Sequence, residues 1–268
     1  MKLATYNIYE GGYAGIDRIM AVVKEEAPDI LTLNEANSFS HENNKLLYEF
    51  AHECGYPYYD LAISGQEDYH VALLSKYPWE SIQHITPLTR ACIIAIFNTN
   101  IGQLAVCGLH LSPHQEYTRL PEIEHILTAA SLYENRILMG DFNSLSPNDD
   151  YTENFIRAFN EKQIRKFTEN GKLEHRVISH IGERGYRDCG HEFHCEKVYT
   201  APTKVTIDSA HSNMRLDYIF VSESIMPHIN DYRVIKNEVT DHASDHCPVC
   251  IKIEGVNSVK KDSHNGRI

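Results

Sequence analysis

The chain opens on a short β-like run, KLATYNI, followed by GIDRIMAVVKEEA, whose apolar residues recur near the 3.6-residue period of a helix. DILTLNE and NKLLYEFAHECG repeat that pair, and a β-α-β-α opening predicts a sheet with helices packed on it. From Tyr56 to Leu111 strand follows strand: YYDLAI, HVALLSK, SIQHI, ACIIAIFN and QLAVCGLHL, punctuated by Gly, Pro and Asn. A helix over EYTRLPEIEHILTAASLY comes next, then a strand running into GDFN and a helix at YTENFIRAFNEKQ. RLDYIFVS and CPVCIKI close the pattern as strands, and no repeat of solenoid length interrupts it. The polar tail VNSVKKDSHNGRI offers nothing to bury, so the expectation is one domain over 1–255 and a frayed tail over 256–268.

Composition narrows the partners. With 25 Lys+Arg against 37 Asp+Glu the net charge is −12, which disfavours nonspecific adhesion to nucleic acid or anionic lipid. A phosphate-bearing partner would have to be met by metal. The start MKLATYNIYEGG lacks the apolar stretch of a signal peptide, and no segment approaches the ~20 apolar residues of a bilayer span. The expectation is therefore a soluble, cytoplasmic protein without membrane insertion; nothing in the pattern specifies an oligomeric state. Seven scattered cysteines suit reduced thiols, and Cys247 and Cys250, three apart in an alternating run, would face opposite sides of a strand.

Acid and amide residues recur just after the apolar strands: Asn7, Glu35, Asp141 with Asn143, Asp217 and Asp245. Singly, each reads as a turn or cap residue, because Asn and Asp bond their own backbone. Together, on neighbouring strands, they would place four carboxylates at one sheet edge, a repulsion that a hard cation such as Mg²⁺ offsets while leaving room for water and phosphate oxygens. His110 ends one strand and His246 precedes another; imidazoles titrate near neutrality, so one can take a proton from water and another give one to a leaving oxygen.

TYNI, LTLNEA, HVALLSK, LHLSP, MGDFNS, RLDYIFVS and SDHCPV, in this order from Asn7 to Val249, resemble the successive motifs of the endonuclease/exonuclease/phosphatase superfamily, which includes deoxyribonuclease I, abasic-site endonucleases, neutral sphingomyelinases and inositol polyphosphate phosphatases. The resemblance implies an α/β fold, a four-layer α/β sandwich of two packed mixed β-sheets flanked by helices. It also implies an Mg²⁺-dependent phosphoesterase, with Mn²⁺ as substitute. By the same likeness Glu35 is the primary metal ligand, with Asn7 and Asp245 beside it. Asp141 and Asn143 position the attacking water and bind the scissile phosphate. His246 is general base or phosphate stabiliser, Asp217 holds its tautomer, and His110 sits near the leaving oxygen. LNE stands where many relatives have LQE, and the LHL motif departs from the Tyr that abasic-site endonucleases place in that role.

The resemblance leaves other candidates to weigh. Arg119 and Arg215 suit phosphate oxygens, or equally an internal ion pair. Cys189, His191, His194 and Cys195 have zinc-competent side chains, but in one short loop instead of two knuckles. Tyr9, Tyr13, Tyr69, Trp79 and Tyr186 are aromatics for base stacking or for packing. Two functions follow: a nuclease cleaving DNA or RNA, or a phosphatase or phosphodiesterase of small-molecule or lipid-headgroup phosphates. A scaffold that has lost its chemistry is disfavoured, since every expected acid, amide and His position is filled.

Overall fold

The computed structural model describes residues 1–195, 198–205 and 213–259, apart from the side chains of residues 153 and 154. In chain order the strands are β1 (Lys2–Asn7), β2 (Ile30–Asn34), β3 (Tyr58–Ala62), β4 (Val71–Ser75), β5 (Ser81–His84), β6 (Ala91–Thr99), β7 (Gly102–His110), β8 (Asn135–Asp141), β9 (Thr168–Glu169), β10 (Lys172–Leu173), β11 (Tyr186–Asp188), β12 (Asp217–Ser222), β13 (Ile229–Val234) and β14 (Val249–Ile253). One six-stranded sheet has the order β13-β14-β1-β2-β4-β3 and the other β11-β12-β8-β7-β6-β5. Each contains one parallel pair, β1 with β2 and β7 with β8, among antiparallel neighbours.

The sheets pack face to face. Leu3, Ile30, Leu73 and Ile251 of the first meet Ile93, Val106, Met139 and Ile219 of the second in a shared core. Alternate residues point outward. Leu31, Leu33 and Leu74 cover the first sheet's outer face against Ile19, Val23, Leu47 and Phe50 of helices Ile16–Glu26 and His41–Glu53. Ile94, Leu109 and Leu138 do the same for the second sheet against Ile123, Ile126 and Ile181 of helices Glu116–Ala130 and Arg176–Glu183. The result is the four-layer α/β sandwich. Burial of both strand faces explains why VALLS and ACIIAIF are nearly continuous apolar runs instead of alternating ones.

Local chemistry corrects the reading in places. The helix expected over YTENFIRAFNEKQ is two, Glu153–Arg157 and Glu161–Phe167. Asn160 stops the first from continuing because its side chain accepts from the Gln163 backbone while Gln163 bonds back, a reciprocal capping box. β13 escaped notice because it is an edge strand with a register shift between Ile229 and Asp231, which breaks its alternation. The domain limit expected at 255 falls short: Val256 is buried in the inter-sheet core, and the Val259 amide bonds the Asn98 carbonyl. Residues 260–268 of the expected tail lie outside the described residues. Among the described residues no cysteine is joined in a disulfide; Cys250 lies on β14 and Cys247 just before it, so the two do not share a strand. Among the described residues no helix is long and apolar enough to cross a membrane.

Arg215, a phosphate-binding candidate by sequence, is instead a core residue with no exposed surface. Its guanidinium donates to Asp149 at 2.6 and 3.1 Å and to Asp188 at 2.7 and 2.8 Å, and lies over the Tyr218 ring. Two buried carboxylates occupy its donors, so no substrate phosphate reaches it. Arg215→Met would leave both carboxylates buried without a counter-charge and is expected to cost about 3–5 kcal/mol. Urea denaturation measures this; a loss below about 1 kcal/mol would show the network to be dispensable.

Candidate active site

The functional side chains stand where the two parallel strand pairs end. Asn7 and Asn34 are register partners at the ends of β1 and β2, and His110 and Asp141 at the ends of β7 and β8. Antiparallel β12 begins at this level, setting Asp217 opposite Asp141. Asp245 and His246 arrive on the loop before β14, held by Ser244, whose hydroxyl donates to the Asn7 carbonyl at 2.6 Å. Thus all the acid and amide positions read from the sequence gather at one end of the sandwich.

Backbone conformation aims several of them. Glu35 follows β2 with φ of 56°, which for a non-Asn, non-Gly residue costs roughly 1–2 kcal/mol and persists only where the surroundings enforce it. Its carboxylate accepts from Asn7 Nδ2 at 3.2 Å and from the Glu10 amide at 3.0 Å. At GDFN, a Cβ on Gly140 would lie 1.8 Å from the Leu109 carbonyl oxygen, so the close approach of β7 and β8 requires glycine there. Phe142 turns into the core against Tyr218 and Phe220. Asn143 already has φ of 51°, and its amide donates to Asp141 Oδ1 at 2.8 Å. The turn therefore begins at Asn143 itself, because an Asp side chain readily captures the amide two residues on.

The centre is electrostatically divided. Asp141 accepts from Asn7 Nδ2 at 3.1 Å; burial alone would raise its pKa, but His110, His246 and Lys166 outweigh burial and hold it below the usual carboxylate range. His246 Nδ1 and Asp217 Oδ2 are 2.7 Å apart. Burial works against a charged ring, yet Asp217, Asp245 and Asp141 overcome it and raise the His246 pKa, making the ring a cation. His110 is the reverse. Its Nε2 lies 3.6 Å from Asp141 Oδ2, but burial drives it down to about 3, so it is a neutral ring.

Arg119 is corrected too. It has no exposed surface, and its guanidinium donates to the carbonyls of Ser112, His114 and Lys166, which leaves it unavailable to phosphate. Asn34, the residue of LNE, donates to the Leu109 carbonyl at 2.6 Å and joins the sheets without facing the cleft. Of the aromatics, Tyr9 and Tyr69 line the cleft and Tyr13 stands exposed beside Tyr9, whereas Tyr186 is buried under the second sheet and Trp79 packs half-buried against the inter-sheet core. Among the described residues Cys189, His191, His194 and Cys195 do not converge as a metal-competent group; Cys189 is buried in the inter-sheet core at the start of a short helix.

The cleft, of about 170 Å³, is lined by the acids and also by Arg90, Lys162 and Lys166, which the sequence reading missed. Arg90 stacks on Tyr69 at 3.9 Å and donates to Glu67 at 2.8 Å, while Lys166 Nζ donates to Asn143 Oδ1 at 2.5 Å. Lys162 and Lys166 share the short helix Glu161–Phe167, and Arg90 arrives from a distant segment just before β6.

The donor chemistry fits a hard divalent cation. Burial, then the charge of Asp245, pushes Glu35 up to about 7, and burial raises Asp245 likewise: two carboxylates face one cleft with a charge deficit that a cation would relieve. Asp141, Asp217 and His246 also offer atoms within 4.8 Å of one another. There, however, the imidazole Nδ1 is taken by Asp217, so the arrangement is that of a hydrogen-bonded dyad beside a carboxylate. Glu35 and Asp245 are the carboxylates that face the cleft beside it, whereas Asn7, expected as a ligand, turns its Nδ2 to Glu35 and Asp141 while its Oδ1 accepts from the Tyr9 amide.

Comparison with known proteins agrees with this fold. The structure is similar to that of an AP endonuclease from Archaeoglobus fulgidus (TM-score 0.73, 19% identity, covering 95% of this chain and 99% of that one). It is also similar to a 3′ phosphatase from Neisseria bound to product DNA hairpin (TM-score 0.71, 19% identity, 95% and 99% covered) and to an endonuclease/exonuclease/phosphatase from Beutenbergia cavernae (TM-score 0.62, 18% identity, 94% and 70% covered). At such identities the likeness establishes the fold alone. No curated protein matches the sequence significantly. The model of the Endonuclease/Exonuclease/phosphatase family matches residues 4–246, nearly the whole chain, and spans every acid, amide and imidazole of the cleft. The chain therefore belongs to the endonuclease/exonuclease/phosphatase family, whose membership supports a hydrolytic phosphoesterase.

Proposed function

We propose that this protein is a magnesium-dependent phosphodiesterase that hydrolyses nucleic acid by in-line attack of water on phosphorus. One observation carries the reading: a protein of net charge −12 nevertheless collects Arg90, Lys162 and Lys166, with the rings of Tyr9 and Tyr69, around the acid cluster. Cations beside aromatic faces suit a polyanion bearing bases. The similar Neisseria phosphatase, bound to product DNA hairpin, points the same way. The small cleft accommodates the reacting phosphate and leaves the flanking nucleotides to the surrounding surface.

Glu35 and Asp245 would hold the cation, with Asn7 bracing the Glu35 carboxylate through its Nδ2, and the cation would neutralise charge developing on the phosphoryl oxygens. Asp141, kept ionised and fixed by Asn7 and the Asn143 backbone amide, orients the attacking water and receives its proton as the P–O ester bond breaks; that bond's electron pair leaves on the ester oxygen, which takes a proton from solvent. His246, held as a cation by Asp217, meets a non-bridging oxygen in the manner of a preorganised oxyanion site. A substrate panel tests the proposal: single- and double-stranded DNA, RNA, sphingomyelin, inositol phosphates and a generic phosphodiester, each with Mg²⁺ or Mn²⁺ and with chelator. Nucleic acid cleaved only with metal is the expected result; turnover confined to sphingomyelin or inositol phosphates would replace it with the small-molecule reading.

A further inference from the structure

The wall of the cleft beside GDFN is differently equipped from what the motif implies. Asn143 is the residue expected to donate its amide to phosphate, yet its Nδ2 donates to the Leu111 carbonyl at 2.9 Å and its Oδ1 accepts from Lys166 Nζ at 2.5 Å. That orientation is dictated by the neighbours, because a carbonyl only accepts and an ammonium only donates. The group that this wall offers to an anion is thus the ammonium of Lys166, which lines the cleft together with Asp141, His110 and Asn143.

Lys166 is also anchored. It lies in the last turn of helix Glu161–Phe167, whose start is fixed by the Asn160–Gln163 capping box. Its carbonyl accepts from the fully buried Arg119 at 3.0 Å, and the same guanidinium holds the Ser112 and His114 carbonyls of the loop that follows His110. A buried arginine with all these partners on backbone is a positioning device, tying the lysine-bearing helix to the catalytic strand end. The Nζ atom sits 4.9 Å over the Phe167 ring, which restricts it further.

We propose that Lys166 is a catalytic residue whose ammonium, in place of the Asn143 amide, contacts one non-bridging oxygen of the scissile phosphate; this rests on the phosphodiesterase reading above. Asn143 then acts through Lys166, holding the ammonium in place from its carbonyl side. Burial lowers the Lys166 pKa to about 7, so the arriving phosphate anion is what secures its proton. Helix Glu161–Phe167 belongs to the segment that follows GDFN and matches none of the short motifs, which is why the residue was not legible there.

The test pairs variants with stereochemically defined substrates: a dinucleoside phosphodiester and its two phosphorothioate diastereomers, read as kcat with Mg²⁺ and with Mn²⁺. Removing one preorganised donor lowers kcat by about 10²–10³-fold. Lys166→Met should do so on the all-oxygen substrate and on one diastereomer. On the other, whose sulfur replaces the contacted oxygen and accepts hydrogen bonds poorly, the loss should fall below about tenfold, and Lys166→Arg should recover most of kcat on the oxygen substrate. A merely structural defect would slow all three substrates alike. Equal losses on the three, or a Lys166→Met enzyme as fast as wild type, overturn the assignment. Wild-type protein inert on the oxygen diester with either metal overturns the phosphodiesterase reading and the assignment with it.

Discussion

Glu35→Gln is expected to lower metal-supported phosphodiester hydrolysis by about 10³-fold or more, since a lost metal ligand forfeits several kcal/mol of charge stabilisation at 1.36 kcal/mol per decade. The substitution keeps the side-chain volume and one acceptor, giving up one of the two bonds that Asn7 Nδ2 and the Glu10 amide now make to separate carboxylate oxygens at the cleft. The fold should therefore survive, and calorimetric Mg²⁺ titration should show the binding lost. The pH dependence gives a second check. Glu35 titrates at about 7 in the metal-free fold against an ordinary 4.5, so burial and Asp245 make its ionised form unfavourable in the native state. By linkage this destabilisation is fully present above about 7, and disappears as pH falls through that value toward 4.5. Metal-free wild type should gain stability relative to Glu35→Gln on acidification from pH 8 to 5, and its Mg²⁺ affinity should weaken about tenfold per unit below 7, because the cation must displace a proton. Near-normal activity of Glu35→Gln, or Mg²⁺ affinity independent of pH, would refute the assignment.

Asp217→Asn should reduce kcat by about 10²–10⁴-fold, as expected when an imidazole loses the carboxylate that holds its orientation and charge. Asp217 is fully buried, pairs in register with Asp141 and has its Oδ2 2.7 Å from His246 Nδ1. Burial opposes the cationic ring; Asp217 is the largest of the charges that overcome it. Without that charge the His246 pKa should fall, so the sign is a ring that stays protonated across neutral pH in the metal-free wild type and titrates lower in the variant. Proton NMR of the His246 ring reads this directly. His246→Ala should match the loss in kcat, and the double variant should be no worse than the more impaired single one if the two act as a unit. Additive losses, or a titration unchanged by Asp217→Asn, would show that the pair does not cooperate.

Most of the architecture was legible because apolar periodicity is set by which faces are buried. VALLS, ACIIAIF and DYIFVS are covered on both sides, and IDRIMAVVKEE on one stripe, so strand and helix separated cleanly. INDYRV did not separate, being an edge strand with a bulge. The acid, amide and imidazole positions were legible for a related reason. Each follows or precedes a strand whose pattern locates its end, and parallel pairing of β1 with β2 and β7 with β8 carries those ends to one edge.

The amino-acid sequence by itself determined the order of the main strands and helices, which strands are buried on both faces and a set of candidate groups for holding a cation and activating water, because these depend on residue type and local period. Only the tertiary structure decided what each charge is for. Arg119 and Arg215, phosphate candidates on chemistry alone, are buried among carbonyls and carboxylates, while Lys166 and Arg90, unmarked in the chain, meet in the cleft. His110 and His246 share a side chain and a site, yet one is held neutral and the other cationic. The physical reason is that a side chain's partners, burial and pKa are set by groups brought near through the fold from distant positions, Asp217 beside His246 and Asn143 beside Lys166, and no local pattern encodes those separations.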